Sequence, residues 1–328
     1  MDLSIGTPVD PTPPLVQAAL AAAADAPGYP QTAGTPRLRE AIRGWLTRRF
    51  GATVDAAAVL PVIGSKELVA GLPALLGAAR VGFPALAYPT YDVGARLAGA
   101  ASLVDPAPAD VDLLWINSPA NPSGEVLGRD ELRSVVAAAR AAGTVIASDE
   151  CYADIFYDGP PPLSVLSPEV CDGSHAGLLA VHSLSKRSNL AGYRAGFVAG
   201  DPGLVADLLE VRRHAGMIVP APVQAAMAVA LDDDEHVDVQ RSVYAWRRSV
   251  LSEALRGNGF EVSGDAGLYL WATRGESSWT TVAGLAERGI LVAPGAFYGA
   301  AGERHVRVAL TATDERVTAA ATRLAETG

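Results

Sequence analysis

HSLSKRSNLAGYRAG, residues 182–196, places one lysine just beyond an apolar run, LLAV (178–181), that is typical of a buried strand. This lysine, Lys186, comes three residues after Ser183 and eight residues before Arg194. An amine at a strand end among small residues is suited to imine chemistry, and a hydroxyl and a guanidinium nearby are suited to a phosphate. The alternative is a basic surface loop between a strand and the next element.

The composition limits the class of protein. With 328 residues, the chain is long enough for a substantial core and for two lobes. Its net charge of -10, without any long basic cluster, argues against a nucleic-acid partner. No stretch is apolar enough for a membrane span, and the proline-rich start is unlike a signal peptide. Cys151, Cys171 and the five histidines show no metal-ligand spacing and fit a reducing compartment. We therefore expect an acidic, soluble, cytoplasmic protein without a metal site.

Apolar runs alternate with helical patterns up to about residue 224. LLWIN (113–117), TVIASD (144–149) and LLAVHS (178–183) are typical of buried strands. Helices are predicted at 15–24, 36–50, 129–142 and 203–214. The second of these begins after Thr35 as N-cap, with Pro36 in its first turn. Such alternation predicts an α/β fold with a largely parallel sheet covered on both faces.

After a run of acids at 232–235, the pattern changes to one long helix at 237–257. Short strands are then predicted in FEVSG, LYLWA, ILVAP and HVRVAL, with helices at 280–288 and from Asp314. We interpret this part as a second α/β lobe, joined in space by an N-terminal arm that its prolines keep extended. The predicted domains are a large one at 26–224 and a small one made of 1–25 and 225–328.

The three buried strands share one feature, which is that each ends in polar residues. Asn117 and then Asn121 follow the first, Asp149 ends the second, and Ser183 with Lys186 follows the third. Ligands bind at the carboxyl ends of parallel strands, so these segments are predicted to converge on one crevice. The convergence points to a lysine that holds pyridoxal phosphate, with the phosphate anchored by the nearby hydroxyl and guanidinium.

Asp149 is a carboxylate at the end of a buried run, and such a group needs a partner. A protonated pyridine nitrogen would serve, because the ion pair keeps the ring cationic and electron-withdrawing. Tyr152 and Asn121 could each hydrogen-bond the phenolate oxygen of the same cofactor. The alternatives are that Asp149 caps the following loop, that Tyr152 is a core tyrosine, and that Asn121 belongs to an ordinary turn in NSPANPSG (117–124). One or both X-Pro bonds of this turn can be cis.

Three further sites suit the same ligand. Gly64-Ser65-Lys66 lies between VLPVI and a helical pattern, where backbone N–H groups at a helix start can face a phosphate. Tyr88 offers an aromatic face to a planar ring. Arg307, in the strand HVRVAL, has the shape for a bidentate bond with a substrate carboxylate. The alternatives are that Gly64-Ser65-Lys66 is a turn without a ligand, that Tyr88 is a packed aromatic side chain, and that Arg307 faces the solvent.

Taken in order, these motifs resemble the class I/II aminotransferases, the pyridoxal-phosphate enzymes of fold type I. The resemblance covers essentially the whole chain and is carried by IGTPVDPTP, GYPQTAGTPRLREAI, GSKELVAGLP, LAYPTYDVGARLAG, NSPANPSG, SDECYADIFY, SLSKRSNLAGYRAGF, APGAFYG and VRVALTATDERV. It implies a large domain with a mostly parallel seven-stranded sheet between helices and a smaller α/β domain. It also implies pyridoxal 5'-phosphate as cofactor and amino acids with 2-oxo acids as substrates.

The resemblance implies roles for the residues around the cofactor ring. Lys186 is the Schiff-base lysine, which also moves the proton of the substrate α-carbon. Asp149 pairs with the pyridine nitrogen, and Tyr88 stacks on the ring. Asn121 and Tyr152 hold the phenolate oxygen.

The resemblance also implies the groups that hold the two anions. The phosphate is held by Ser65, Lys66, Ser183 and Arg194, the first two chiefly through backbone N–H groups. The substrate α-carboxylate is received by Arg307, the backbone near Gly6 and Asn121. Tyr29 matches a tyrosine that reaches the phosphate of the neighbouring subunit, so that a homodimer with shared active sites is implied.

Within the family, GSKELVAGLP, LAYPTYDVGARLAG, SDECY and SLSKRSNLAGYRAGF are most similar to the actinobacterial N-succinyldiaminopimelate aminotransferases of lysine and diaminopimelate biosynthesis. That similarity implies ping-pong amino transfer between glutamate and N-succinyl-2-amino-6-oxopimelate, by way of pyridoxamine phosphate. The chain is short for the family, and no residue identifies itself as the partner of a distal succinyl carboxylate. The alternatives are an aminotransferase of aspartate, aromatic or branched-chain amino acids, a carbon–sulfur lyase, or a non-catalytic cofactor-binding sensor.

Overall fold

The structure, a computed structural model, describes residues 1–157 and 159–326. The predicted small domain runs to residue 328, so its last two residues lie outside the described residues. Within these ranges, no helix combines the length and the apolar character that are needed to cross a membrane.

The large sheet consists of seven strands within the described part of the chain: β1 (Val59–Ile63), β2 (Arg80–Phe83), β3 (Ala101–Val104), β4 (Leu113–Asn117), β5 (Val145–Asp149), β6 (Leu178–Ser183) and β7 (Ala195–Gly200). Their order across the sheet is β1-β7-β6-β5-β4-β2-β3. β7 runs antiparallel to both of its neighbours, and the other pairs are parallel. The prediction of a mostly parallel seven-stranded sheet is therefore confirmed.

Both faces of this sheet are buried, which is why its central strands read as continuous apolar runs. In β4, Leu114 and Ile116 belong to the core on one face, and Leu113 and Trp115 belong to the core on the other. The helices of this part are α1 (Pro14–Ala22), α2 (Pro36–Phe50), α3 (Ser65–Leu75), α4 (Thr90–Leu97), α5 (Arg129–Ala142), α6 (Pro168–Cys171), α7 (Leu184–Arg187), α8 (Pro202–His214) and α9 (Ala221–Asp232). Side chains of α1, α2, α5, α6 and α9 enter the first core, and those of α3, α4 and α8 enter the second.

In the second lobe, as far as residue 326, three helices pack around a small antiparallel sheet. Its elements are α10 (Glu235–Gly257), β8 (Glu261–Ser263), β9 (Tyr269–Thr273), α11 (Ser278–Glu287), β10 (Ala293–Pro294), β11 (Val306–Ala309) and α12 (Asp314–Ala325). The sheet order is β10-β11-β9-β8. Only the last two residues of the predicted strand ILVAP pair with β11. Leu291 pairs with the N-terminal arm, and Ile290 and Val292 are buried in the core of the lobe.

The N-terminal arm lies along this second lobe. The Leu3 N–H donates to the Leu291 carbonyl, and the Ala309 N–H donates to the Leu3 carbonyl, both over 2.8 Å. By contrast, Val16 of α1 packs with α2 and α9 in the core of the seven-stranded sheet. The predicted domain division at residues 224 and 225 falls inside α9. We propose that the division lies between α9 and α10, with α1 belonging to the large domain.

Candidate active site

A cavity of about 770 Å³ lies at the carboxyl ends of β4, β5 and β6. The arm at 4–7 borders it on one side, and β9 and β11 of the second lobe border it on another. All predicted site residues except Tyr29 line this one cavity: Gly6, Ser65, Lys66, Tyr88, Asn121, Asp149, Tyr152, Ser183, Lys186, Arg194 and Arg307. The expected convergence of the strand ends is thus present in the structure.

Lys186 lies in α7, the single helical turn that follows β6, and its side chain reaches the arm. Its Nζ donates a hydrogen bond to the Gly6 carbonyl. Burial lowers the pKa of the Lys186 amine to about 8, and the Arg307 and Arg194 guanidinium groups act in the same direction. Near neutral pH, this amine is therefore more often neutral and nucleophilic than a lysine in water.

Asp149 ends β5 with a buried carboxylate. The Tyr91 hydroxyl donates to its Oδ2 over 2.8 Å, and the Cys151 N–H donates to its Oδ1 over 3.2 Å. Burial raises the pKa of Asp149, although these hydrogen bonds act in the opposite direction. Among the described residues, no basic side chain forms an ion pair with this carboxylate. A cationic group of a ligand would supply the missing partner.

The predicted phosphate end is built around Gly64, which has a φ of 73° and directly precedes α3. A side chain at this position would overlap the Arg194 guanidinium, so the glycine lets that arginine lie beside the first turn of α3. Ser65 and Lys66 begin the helix, where free N–H groups and the positive end of the dipole favour an anion. The Ser183 hydroxyl accepts a backbone hydrogen bond at the start of α7, which leaves its proton for a ligand oxygen.

Arg307 is only 8% exposed, so the solvent-facing alternative is wrong. Its Nη1 donates to Asn121 Oδ1 over 3.0 Å, and its Nη2 donates to the Ser4 carbonyl over 2.8 Å. The buried Nε has no hydrogen-bond partner within the described ranges. Asn121 lies in a turn whose two X-Pro bonds, Ser118–Pro119 and Asn121–Pro122, are both cis. The guanidinium is thus fixed at the cavity wall and keeps a donor for a further acceptor.

The three tyrosines predicted for the site occupy different positions. Tyr152 is buried, and its hydroxyl lies 3.4 Å from the Tyr269 hydroxyl. Tyr88 is half-buried, and the Lys66 ammonium lies 5.7 Å from the centroid of its ring. Tyr29 is fully exposed and does not line the cavity of its own chain. Its contact with the phosphate of a neighbouring subunit stays a prediction.

The sequence reasoning missed several residues at the site. Tyr91 binds the Asp149 carboxylate, and Tyr269 contacts both Tyr152 and Arg307. Tyr91 lies three residues after Tyr88, but α4 begins only at Thr90, so no helical spacing relates the two residues. Other residues that line the cavity and were missed include Ser4, Ile5, Cys151, Ser185, Phe297 and Tyr298.

The family model "Aminotransferase class I and II" matches residues 1–324. The chain belongs to this family. It is 59% identical, over 99% of its length and 92% of the relative, to the 4-dedimethylamino-4-oxo-anhydrotetracycline transaminase of Streptomyces rimosus. It is 63% identical, over 99% of its length and 80% of the relative, to a protein of Mycobacterium tuberculosis described as a probable aminotransferase.

Solved structures agree with this assignment. The N-succinyldiaminopimelate aminotransferase of Mycobacterium tuberculosis superposes with a TM-score of 0.89 and 27% identity, covering 99% of this chain and 92% of that one. The aminotransferase therefore has the fold of the type I enzymes, which use pyridoxal 5'-phosphate and act on amino acids and 2-oxo acids.

The residues of the cavity fit this cofactor. Asp149 is a buried carboxylate without a cationic partner among the described residues, as the pyridine nitrogen requires. At the other end, Gly64 leaves room for Arg194 beside the N–H groups of α3, as a phosphate requires. Lys186, with its lowered pKa, lines the cavity together with both of these groups.

Proposed function

We propose that this aminotransferase exchanges an amino group between glutamate and N-succinyl-2-amino-6-oxopimelate, as an N-succinyl-LL-2,6-diaminopimelate:2-oxoglutarate aminotransferase of cytoplasmic lysine and diaminopimelate biosynthesis. The observation that carries the proposal is the placement of the basic groups. The chain has two lysines, Lys66 and Lys186, and both line the same cavity as Arg307. The Lys186 amine is then available for the cofactor, and the Lys66 and Arg307 cations are available for carboxylates.

Each group of the cavity has a distinct task in this proposal. Lys186 holds the cofactor and, once released, takes the proton from the substrate α-carbon at its Nζ. The bound cofactor supplies an electron-withdrawing ring, and Asp149 keeps the ring nitrogen protonated. Asn121 and Tyr152 donate to the phenolate oxygen, and Tyr88 packs against the ring.

The carboxylates of the substrate are assigned to two different cations. Arg307 binds the α-carboxylate, because its planar guanidinium is already oriented by Asn121 and by the Ser4 carbonyl. Arg194, Ser183 and the start of α3 hold the phosphate. The Lys66 ammonium is exposed above the Tyr88 ring and is the cation left for a distal carboxylate, such as that of glutamate or of a succinyl group.

A second candidate function is amino transfer to a polycyclic ketone, as the name of the Streptomyces rimosus relative states for that protein. The observation that favours it is the apolar character of part of the cavity wall. Ile5 and Phe297 both line the cavity and are 61% and 58% exposed, respectively. Exposed apolar side chains at a cavity can pack against a fused ring system.

We also propose a homodimer, since Tyr29 is fully exposed and faces none of the cavity residues of its own chain. Sedimentation should then give about twice the 33.8 kDa of the single chain. Tyr29→Phe should weaken retention of the cofactor without changing this mass. A monomer with full activity would contradict the shared site.

The assignment of Lys186 is tested by borohydride reduction of the holoenzyme, followed by peptide mapping. Because the chain has only two lysines, the label can fall on Lys186, on Lys66 or on the N-terminal amine. We expect it on Lys186 in the unmodified protein and in Lys66→Ala, and we expect no label in Lys186→Ala. Transamination by Lys186→Ala would refute the proposed function.

The substrate is tested with a panel of acceptors and glutamate as donor, read as 2-oxoglutarate formed. The panel contains the succinylated oxo acid, branched-chain and aromatic oxo acids, and a fused-ring ketone. Turnover of the succinylated compound well above the others supports the first candidate. Turnover of the ring ketone alone would replace it with the second. Pyruvate release from cysteine conjugates, without amino transfer, would indicate a carbon–sulfur lyase.

A further inference from the structure

Tyr269 lies between Arg307 and Tyr152, which have separate tasks in the proposed function. It begins β9, pairs with Ala309 of β11 and is only 6% exposed, yet it lines the cavity. Its ring contacts Arg307, and its hydroxyl contacts the hydroxyl of Tyr152. A buried tyrosine hydroxyl usually finds a hydrogen-bond partner, and for Tyr269 that partner is the Tyr152 hydroxyl at the cavity.

The Arg307 guanidinium lies over the ring of Tyr269. The guanidinium carbon lies 3.8 Å from the centroid of the Tyr269 ring, closer than the 4.9 Å that separates it from the Tyr298 ring. Asn121 and the Ser4 carbonyl fix two nitrogens of the guanidinium by hydrogen bonds, but these bonds alone allow the plane to tilt. An aromatic face beneath the plane removes that freedom, and a bidentate bond to a carboxylate depends on it.

The contact with Tyr152 affects where the proton of the Tyr152 hydroxyl points. The two hydroxyl oxygens are 3.4 Å apart, and either one can be the donor. Burial raises the pKa of Tyr152, so its hydroxyl stays protonated across the working pH range. When Tyr269 donates to the oxygen of Tyr152, the proton of Tyr152 is free to point towards the cofactor.

Gly6 locks Tyr269 in this position. A side chain at residue 6 would overlap the Tyr269 hydroxyl, so the arm and the ring fit each other closely. The Gly6 carbonyl in turn accepts the hydrogen bond of Lys186. The tyrosine therefore has little room to rotate away from its two polar neighbours.

We propose that Tyr269 is a positioning residue of this active site, which sets the plane of Arg307 for the substrate carboxylate through its ring and directs the Tyr152 hydroxyl towards the cofactor through its own hydroxyl. The inference rests on the proposed function, because it uses the tasks given there to Arg307 and Tyr152. The ring of Tyr269 acts on Arg307 and its hydroxyl acts on Tyr152, so that different substitutions can separate the two effects.

Two variants of the holoenzyme test the two parts. Tyr269→Phe keeps the ring and removes the hydroxyl. We expect the pH midpoint of the visible absorbance change of the bound cofactor to rise, because a weaker donor from Tyr152 stabilises the deprotonated form less. The dissociation constant of maleate, an unreactive dicarboxylate, should stay within about twofold, since the stacking ring is kept.

Tyr269→Leu removes the ring as well. We expect the same rise of the midpoint and, in addition, a dissociation constant of maleate that is about tenfold higher, because the guanidinium loses its stacking partner. Tyr269→Met serves the same purpose if the leucine variant does not fold. A midpoint unchanged in Tyr269→Phe overturns the hydroxyl part, and maleate binding unchanged without the ring overturns the ring part.

Tyr157→Phe is the matched control. The Tyr157 hydroxyl donates to the Gly267 carbonyl over 2.7 Å, two residues before Tyr269, but Tyr157 does not line the cavity. This variant should lower the melting temperature without moving the midpoint or the binding of maleate. If the pH midpoint shifted as much in Tyr157→Phe as in Tyr269→Phe, the shift would reflect a general structural change and not the Tyr269 hydroxyl. Absence of cofactor-labelled Lys186 in the unmodified protein would refute the proposed function. Labelled Lys186 together with unchanged Tyr269 variants would refute only the role of Tyr269.

Discussion

The lowered pKa of Lys186 determines how the cofactor-free protein captures pyridoxal phosphate. Only a neutral amine attacks an aldehyde, and burial lowers the pKa of this amine to about 8, whereas an ordinary lysine has a pKa of about 10.4. The neutral fraction is thus about one half at a pH of about 8 and nearly complete about one pH unit higher. We expect the rate constant of reconstitution, measured by visible absorbance, to rise with pH, to reach half of its maximum at about 8 and to level off beyond that. A rate that keeps rising up to the range of an ordinary lysine would contradict the burial of this amine.

Asp149 is expected to help catalysis and to cost stability at the same time. Asp149→Asn keeps the shape and an oxygen for the Tyr91 hydroxyl, but it removes the charge that holds the ring nitrogen protonated and the acceptor of the weaker Cys151 N–H bond. We expect kcat to fall by about a hundredfold or more, the size of other losses of a preorganised electrostatic group. Because burial penalises the carboxylate, the cofactor-free variant should melt at the same or a higher temperature. Unchanged kcat, or a melting temperature lowered by several degrees, would contradict this account.

At the scale of elements, α2 shows how local signals set the ends of a helix. The Thr35 hydroxyl accepts the Leu38 N–H over 3.2 Å, Pro36 is the first helical residue, and Gly51 ends the helix with a φ of 66°. Thr35→Ala should lower the free energy of unfolding in urea by about 1 kcal/mol, whereas Thr35→Ser should retain most of it. Equal losses in both variants would mean that the hydroxyl does not act as the cap.

The elements with such local signals were predictable from the sequence. The bounds of α2 and α5 match the predicted 36–50 and 129–142, because caps and glycines mark their ends. β10 was predicted too long, since Leu291 pairs with the N-terminal arm instead of β11, and Ile290 and Val292 are buried in the second core. The predicted boundary at 224 and 225 lies inside α9, and the lobe on which such a helix packs depends on tertiary contacts that the sequence pattern does not give.

The candidate site was predictable as far as it is built on strand ends. Asn121, Asp149 and Lys186 follow buried strands, and the topology of a parallel sheet brings them together. Tyr269 could not be found in this way, because it comes from the second lobe. Its importance depends on a stacking distance and a hydroxyl contact that no sequence pattern encodes.

At the scale of the whole molecule, the arm is held where it meets the second lobe. Arg247 of α10 is only 2% exposed and binds Asp10 with two nitrogens, over 2.6 and 2.8 Å. Its Nε binds Asp314 of α12 over 2.7 Å. Asp10 also accepts a hydrogen bond from Gln240 over 2.9 Å. The arm that carries Ser4 and Gly6 into the cavity is therefore anchored a few residues further on by a buried ionic contact.

Asp10→Asn and Asp314→Asn each remove one carboxylate from Arg247, but only the first loosens the arm. We expect Asp10→Asn to lower stability by about 2 kcal/mol, as for a lost charged hydrogen bond, and the half-exposed Asp314 to contribute about 0.5 kcal/mol. The KM for glutamate should rise several-fold in Asp10→Asn alone, since Arg307 depends on the Ser4 carbonyl for its position. Thermal melts and steady-state kinetics of both variants provide the measurement. A KM that rises equally in the two variants would show that the ionic contact acts through α10 and α12 and that the arm has no part in orienting the substrate.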